Sequence, residues 1–294
     1  MTLKVQGLTK SYGETKAVQQ VNFSLQQGRV LGLLGRNGAG KTTTIKLLLG
    51  LLQPDSGSMT WNGRPLRREE VSIGYLPEER GLYAKTKITD QLRYFGQLEG
   101  MTRKEADAAI EYWLTKLEMT EYRNKKAGEL SKGNQQKIQI IATLLHNPEI
   151  VILDEPFSGL DPVNASVLAN LISEQIQAGK TVIFSSHRME QVEAFCEEIV
   201  LLHRGQMVLS GTLTEIKQTY GYRTLTLPGT AEVRKALGDL GRAFEERGHD
   251  AAVRVQHDEE ALHLLGQLRE KGLRFRYFQM LEPTLQEIFV ERAR

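Results

Sequence analysis

Gly35-Arg36-Asn37-Gly38-Ala39-Gly40-Lys41-Thr42, followed by Thr43, has the Gly-x-x-x-x-Gly-Lys-Thr spacing of a phosphate-binding loop. Ahead of it, Val30-Leu31-Gly32-Leu33-Leu34 is short and apolar, as a buried strand is. Behind it, Thr44-Ile45-Lys46-Leu47-Leu48-Leu49 reads as a helix. Strand, glycine loop and helix in that order are the setting this motif needs. The glycines let the backbone fold tightly, so successive N–H groups point inward at a polyphosphate. The helix N-terminus adds positive potential at the same spot. Lys41 can reach the β- and γ-phosphates, and the Thr42 hydroxyl can bind Mg²⁺. A glycine-rich turn that binds nothing is the bland alternative. It gives Lys41 and Thr42 no packing reason to stand at a helix start.

The 294 residues suffice for one large domain and a smaller one. The composition, 40% hydrophobic and 25% charged, is that of a globular protein. The 38 basic and 36 acidic side chains leave a net charge of +2, which gives no global reason to expect a nucleic-acid partner. A single cysteine, Cys196, rules out an internal disulfide and fits a reducing compartment. The first residues, Met-Thr-Leu-Lys-Val-Gln, lack a signal-peptide apolar region, and no apolar run approaches the roughly 18 residues of a membrane span. A soluble chain is expected, with any membrane crossing left to another subunit.

Residues 3–34 read as short strands. Leu3-Lys4-Val5 alternates, and Gln19 to Leu25 alternates around Val21, Phe23 and Leu25. Tyr12, between them, is either a plain strand-end aromatic or a stacking surface for an adenine ring. Ser58-Met59-Thr60-Trp61 with Asn62-Gly63 reads as a strand and turn, and Ser72 to Leu76 as a strand stopped by Pro77. Glu78-Glu79-Arg80-Gly81 follows as a polar loop. From about Asp90 to Leu117 apolar residues recur at three- and four-residue spacing, which predicts a helical insertion whose stripes are core. Leu130-Ser131-Lys132-Gly133-Asn134-Gln135-Gln136 opens another helix with Ser131 as a plausible N-cap; a well-capped helix and nothing more accounts for it equally well.

Glu149-Ile150-Val151-Ile152-Leu153-Asp154-Glu155-Pro156 is an apolar run ending in two carboxylates. Such a run fits a central parallel strand covered on both faces, and its C-terminal end is where open α/β sheets bind ligands. Strand alternation sends Asp154 and Glu155 to opposite sides, so each needs its own partner. Asp154 suits a Mg²⁺-bound water network beside Thr42, and Glu155 suits a general base for water. Ser158-Gly159-Leu160-Asp161-Pro162 is a loop before a helix over 163–177. Val182-Ile183-Phe184-Ser185-Ser186-His187 is an apolar strand ending in histidine. Of six histidines, His187 alone ends a buried strand, and it follows the Asp-Glu strand in order, over the same crevice. Thr214 to Gln218 is the last short helix of this unit. Around Thr219-Tyr220-Gly221 the organisation restarts. Strands are expected at 224–227, 252–255 and 273–281, and helices at 231–240 and 259–271. A terminal helix follows Pro283. Arg274 and Arg276 fit the solvated face of the last of these strands.

Together these pieces resemble the nucleotide-binding subunit of an ATP-binding cassette (ABC) transporter, over residues 1 to about 218. Tyr12 is similar to the family's adenine-stacking loop, Gly35 to Thr42 to Walker A, and Leu130 to Asn134 to its Leu-Ser-Gly-Gly-Gln signature. Ile150 to Glu155 resembles Walker B plus the catalytic glutamate, Ser158 to Asp161 the D-loop, and His187 the switch histidine. Two places depart. Glu78 stands where the family has glutamine, and the signature has Lys132 for its first glycine and Asn134 for its glutamine, while Gly133 is kept. The stretch Tyr75 to Tyr83, with Leu-Ser-Lys-Gly-Asn, looks like a bacterial subgroup that includes NatA-type sodium exporters and carries a C-terminal domain like residues 222–294.

The resemblance implies an α/β P-loop NTPase core (1–218) with a helical subdomain at about 85–145, plus a small α+β accessory domain (222–294). It implies ATP and Mg²⁺ as cofactors, with nucleotide on Tyr12 and Gly35, Arg36, Asn37, Gly38, Ala39, Gly40, Lys41, Thr42 and Thr43, and metal near Thr42, Asp154 and Glu78. It implies catalysis by Glu155 and His187. Two copies would pack head to tail, with Ser131, Lys132, Gly133 and Asn134 of one facing the other's ATP and Asp161 in the D-loop. Closure on ATP would drive a separate membrane-spanning permease, docked on the 78–128 region, with export as the expected direction. The subunit would then sit in the cytoplasm on the inner face of the membrane, with no nucleic-acid partner. A soluble ABC ATPase acting on DNA or ribosomes is the alternative; it would carry a long coiled coil or a second cassette, and this chain has one phosphate loop and no long heptad insert. A regulator without activity is a third reading, opposed by Glu155 and His187.

Overall fold

The structure, a computed structural model, describes residues 1–79 and 81–292; Arg80, within the stretch read as a polar loop, lies outside them, as do Ala293 and Arg294. The chain divides into two units, Met1–Gly211 and Thr212–Arg294. That division groups the short helix Leu213–Thr219 with the second unit, rather than at the end of the first.

In the first unit β1 (Thr2–Tyr12) and β2 (Thr15–Gln26) form a long antiparallel hairpin, longer at both ends than the alternation in the sequence suggested. β3 (Val30–Leu34) leads into α1 (Lys41–Leu48). β4 (Ser56–Trp61) and β5 (Arg64–Pro65) flank Asn62 and Gly63, whose positive φ angles of 54° and 78° suit a tight hairpin turn. Then come β6 (Ile73–Leu76), α2 (Ile88–Leu98), α3 (Arg103–Lys116), α4 (Lys132–Leu144), β7 (Ile150–Asp154), α5 (Pro162–Gln177), β8 (Thr181–Ser186), α6 (Met189–Phe195), β9 (Glu198–His203) and β10 (Gln206–Thr212). The strands make one sheet in the order β5-β4-β1-β2-β10-β9-β3-β8-β7-β6.

Every residue of β3, β7 and β8 is buried, as expected of parallel strands covered on both faces. Ile45 and Leu48 of α1 pack in one core with Leu8 and Val21 of the hairpin and Ile152 of β7. The parallel registers Leu34↔Ser186, Asp154↔Ser185 and Leu76↔Leu153 bring the C-terminal ends of four neighbouring strands to one edge. The loops that leave that edge begin at Gly35, His187, Glu155 and Pro77. This is where open α/β sheets place ligands.

The helical insertion from about Asp90 to Leu117 consists of two helices. Gly100, at φ 87°, ends the first, and Thr102 opens the second with a capping box to Glu105. α4 lies close against β6: a Cβ added to Gly74 would sit 2.3 Å from the Thr143 carbonyl oxygen. The Thr143 hydroxyl also donates to the Tyr75 carbonyl at 3.1 Å.

The second unit comprises α7 (Leu213–Thr219), β11 (Arg223–Pro228), α8 (Ala231–Asp239), β12 (Glu245–Arg247), β13 (Asp250–Val255), α9 (Asp258–Glu270), β14 (Gln279–Leu281) and α10 (Leu285–Arg292). Its antiparallel sheet runs β12-β13-β11-β14, with α8 and α9 packed through Val233, Leu237, Leu264 and Leu268. The strand expected over 273–281 shrinks to Gln279–Leu281, because only those residues pair, with Thr224 to Thr226. Leu273 and Phe275 instead turn onto the core, so Arg274 and Arg276 do not form a strand face.

The α4–β6 contact is testable. Gly74→Ala forces backbone against backbone and is expected to lower stability by about 1–3 kcal/mol. A urea midpoint equal to that of the unaltered protein would show that α4 does not sit this close.

Candidate active site

A cleft of about 370 Å³ opens at the C-terminal edge of β3. Tyr12, Ala17, Arg36, Asn37, Gly38, Ala39, Gly40, Lys41, Thr42, Thr43, Glu78 and Glu155 line it. The structure thus gathers nearly the whole expected nucleotide set in one place. Tyr12, at the end of β1, is 49% exposed, so its ring is free to stack. The loop needs Gly40 for two reasons. Its φ of 105° is costly for any side chain, and a Cβ there would stand 2.4 Å from the Ala17 carbonyl oxygen. Ala17, which the sequence reading missed, lines the cleft through that close approach.

Lys41 begins α1 and is 7% exposed. Its ammonium donates to the Gly35 carbonyl at 2.7 Å and lies 3.3 Å from Glu155 Oε1. Glu155 Oε2 lies 2.9 Å from His187 Nδ1, which fits an Nδ1–H donor because a carboxylate only accepts. Lys41, Glu155 and His187 therefore form one connected chain. The lysine–glutamate pair is buried at both ends, and removing either partner would strand the other's charge in low dielectric.

β7 ends at Asp154, and Glu155 is not a strand residue. Its φ is 48°, so the alternation expected of these two carboxylates does not apply. They nonetheless find different partners. Asp154 accepts from the Ser185 hydroxyl at 2.5 Å and is hydrogen-bonded to the Thr42 side chain. Burial pushes its pKa up, against those two hydrogen bonds. Glu78 lines the cleft, while the main-chain oxygen of its neighbour Glu79 accepts from Gln139 at 3.3 Å. Burial raises the Tyr75 phenol to about 12, with further contributions from Asp154 and Glu78.

The signature residues form a second cluster. Ser131 caps α4 by accepting from the Asn134 N–H at 3.3 Å, and both Ser131 and Lys132 are exposed. Gly133 lies against Asn164: a Cβ there would meet its Nδ2 at 2.3 Å. Asn164 Nδ2 donates to Asp161 at 2.6 Å, and Asp161 caps α5 through the Asn164 N–H at 2.9 Å. None of Ser131, Lys132, Gly133, Asn134 and Asp161 lines the cleft of this chain. α4 still touches the site's supports, because Gln136 Nε2 donates to the Pro156 carbonyl at 3.3 Å, just past Glu155. Between β6 and the helices lies a second, largely apolar cavity of about 270 Å³, lined by Tyr75, Leu82, Phe95, Leu98 and His146 among others.

Comparison with known proteins agrees with this geometry. Residues 18–158 match the ABC transporter family, and residues 211–293 match the C-terminal domain of the ATP-binding protein DrrA1-3-like family. The chain is 42% identical to the uncharacterized ABC transporter ATP-binding protein YhaQ of Bacillus subtilis (strain 168), over 99% of this chain and 98% of that one. It is 32% identical to the linearmycin resistance ATP-binding protein LnrL of the same organism, over 98% and 97%. A solved ATP-binding subunit of an ABC transporter superposes with a TM-score of 0.69 at 31% identity, covering 75% of this chain and 94% of that one. With its phosphate loop, its carboxylate-ended strand and a length matched to these relatives, this chain belongs to the ATP-binding, ATP-hydrolysing subunits of ABC transporters.

Proposed function

We propose that the cleft beside Lys41 holds ATP and that Glu155 is the base for its hydrolysis. The observation that carries this is the connected chain from Lys41 through Glu155 to His187 at the mouth of the phosphate loop. A polyphosphate seated on the loop competes with Glu155 for the Lys41 ammonium. Once Lys41 turns to the β- and γ-phosphates, the Glu155 carboxylate is released to accept a proton from the attacking water. His187, already 2.9 Å from Glu155, holds that carboxylate and the γ-phosphate in line. Tyr12 stacks on the adenine.

Thr42, Asp154 and Glu78 would hold Mg²⁺. Their oxygens are hard donors, and no group of three His, Cys, Asp or Glu side chains forms a closed metal cage among the described residues. One or two carboxylates with substrate phosphates are the usual surroundings of this ion. When bound, it would neutralise charge that develops on the phosphates.

The exposed Ser131 and Lys132 at the start of α4, away from the chain's own cleft, support a head-to-tail pair in which they meet the partner copy's ATP. Membership of the transporter family implies a membrane-spanning permease, since no helix among the described residues is long and apolar enough to cross a membrane. The permease docks on the 78–128 region, where the apolar cavity by Leu82, Phe95 and Leu98 offers a seat, and the subunit works on the cytoplasmic face. Export is the proposed direction, in keeping with the resistance function named for LnrL. Sodium as the exported cargo is proposed by likeness to the NatA-type subgroup, carried by residues 75–83 and 130–134. Residues 222–294 form an accessory domain, regulatory or dimer-supporting, and not part of the nucleotide site.

Three substitutions test these roles. Glu155→Gln cannot take a proton, so hydrolysis should fall about 10²–10⁴-fold while ATP binding survives; near-normal phosphate release would remove Glu155 from the base role. Lys41→Ala removes a charge-assisted contact of about 1.5–3 kcal/mol, so affinity or turnover should drop sharply. If neither changes, the loop does not hold the phosphates. Glu78→Gln replaces a charged oxygen with a neutral one. ATP affinity titrated against Mg²⁺ should rise more steeply in the unaltered protein, because Glu78 attracts the cation and repels bare phosphate. Superimposable titrations would show that Glu78 does not sense the metal.

A further inference from the structure

Ser185 is the last but one residue of β8 and is fully buried. The strand before it, Val182-Ile183-Phe184, is apolar, so a hydroxyl here must be satisfied from within. It is satisfied twice, by consecutive residues of the neighbouring strand end. The Ser185 Oγ–H donates to Asp154 Oδ1 at 2.5 Å, and the same oxygen accepts from the Glu155 N–H at 3.1 Å. The Ser185 carbonyl accepts from that N–H as well, at 3.2 Å. A hydroxyl offers one donor and two acceptor sites, and this one is spent on both carboxylate residues at once.

Glu155 needs such a hold. A non-glycine residue at φ 48° is disfavoured and persists only where its surroundings over-determine it. The left-handed turn is what carries the Glu155 carboxylate to Lys41 and His187, instead of continuing the strand. The neighbouring Ser186 is placed differently. Its hydroxyl donates to Gln191 Oε1 at 3.0 Å, accepts from the Arg188 N–H at 3.0 Å and reaches Glu155 only through the carboxylate Oε2, at a long 3.5 Å, so it shapes the turn after His187 and does not hold the Glu155 N–H or Asp154. The two serines are not interchangeable.

We propose that Ser185 is a positioning residue for ATP hydrolysis: its hydroxyl clamps Asp154 and the left-handed Glu155 in register, so that the base is aimed at the attacking water. The proposal rests on Glu155 being that base. The Ser185 hydroxyl touches no phosphate-loop residue itself and reaches the loop only through Asp154 and Glu155, so its loss should be felt in turnover far more than in ATP binding. A misplacement of the order of 1 Å in a reacting group costs about 10²-fold in rate.

The test compares Ser185→Thr, which keeps the hydroxyl, with Ser185→Val, which has the same shape without it. Steady-state ATPase activity of the full chain and direct titration with a fluorescent ATP analogue in Mg²⁺ are the readouts, with Glu155→Gln alongside. The expected result is kcat about 10–10²-fold lower for Val than for Thr, with KM and the measured affinity of both within about threefold of the unaltered protein. Ser185→Ala, smaller than serine and unable to clash, should behave as Val does and carries the comparison if the larger side chains prevent folding. Equal kcat for the Thr and Val variants, or for Ala and serine, while Glu155→Gln is inactive, overturns the clamp. A deficit seated in affinity rather than turnover overturns it too. If Glu155→Gln itself turns over normally, the base assignment falls first and the clamp with it.

Discussion

The site depends on how one buried positive charge is held. Lys41 has left water at the start of α1, and its ammonium donates to the Gly35 carbonyl and is paired with the Glu155 carboxylate. Both partners must be kept in place by structure that does not itself touch the ligand, because a buried charge that loses its partner is costly. Gly35 is held by the phosphate loop. Glu155 is held by a left-handed turn, by His187 on its other oxygen, and by two hydrogen bonds from its N–H to Ser185. In the proposed reading, a polyphosphate would enter by replacing the carboxylate that already faces the lysine, and binding and the freeing of the base would be one event.

The parallel registers make this arrangement possible. β8 lies between β3 and β7, so the strand that carries Ser185 and leads into His187 pairs with both the strand before the phosphate loop and the strand before the carboxylates. Side chains from three different strands meet without any loop having to be long. α4 adds a link from the opposite direction. Gln139 holds the Glu79 main chain, Gln136 holds the Pro156 main chain, and Thr143 holds Tyr75. A movement of α4 therefore reaches the segments that carry Glu78 and Glu155. The same helix begins at Ser131, where a second copy's nucleotide would press.

Much of this was legible in the residues themselves. A phosphate loop is local: its spacing, the apolar strand before it and the helix after it all lie within about 20 residues, so Gly35 to Thr43 could be read directly. Asp154, Glu155 and His187 were legible because each follows a short, largely apolar run that reads as a buried strand. What could not be read depends on contacts across the sheet. The left-handed turn at Glu155 follows from hydrogen bonds to Ser185, and nothing in Asp-Glu-Pro announces them. Ala17 lines the cleft from the neighbouring strand β2, where its carbonyl closely approaches Gly40. Within the helical insertion, the break between α2 and α3 is signalled locally by Gly100 and the Thr102–Glu105 pair. Residues 273–278 alternate as a strand would, but β11 offers pairing only from Thr224 to Thr226, and packing takes Leu273 and Phe275 instead.

The most direct measurement is a crystal structure of the chain with a non-hydrolysable ATP analogue and Mg²⁺. The account predicts Lys41 Nζ within hydrogen-bond distance of the β- and γ-phosphates, drawn away from Glu155 Oε1, while Ser185 still holds Asp154 and the Glu155 N–H. A nucleotide bound elsewhere, with Lys41 still on Gly35 and Glu155, would contradict it.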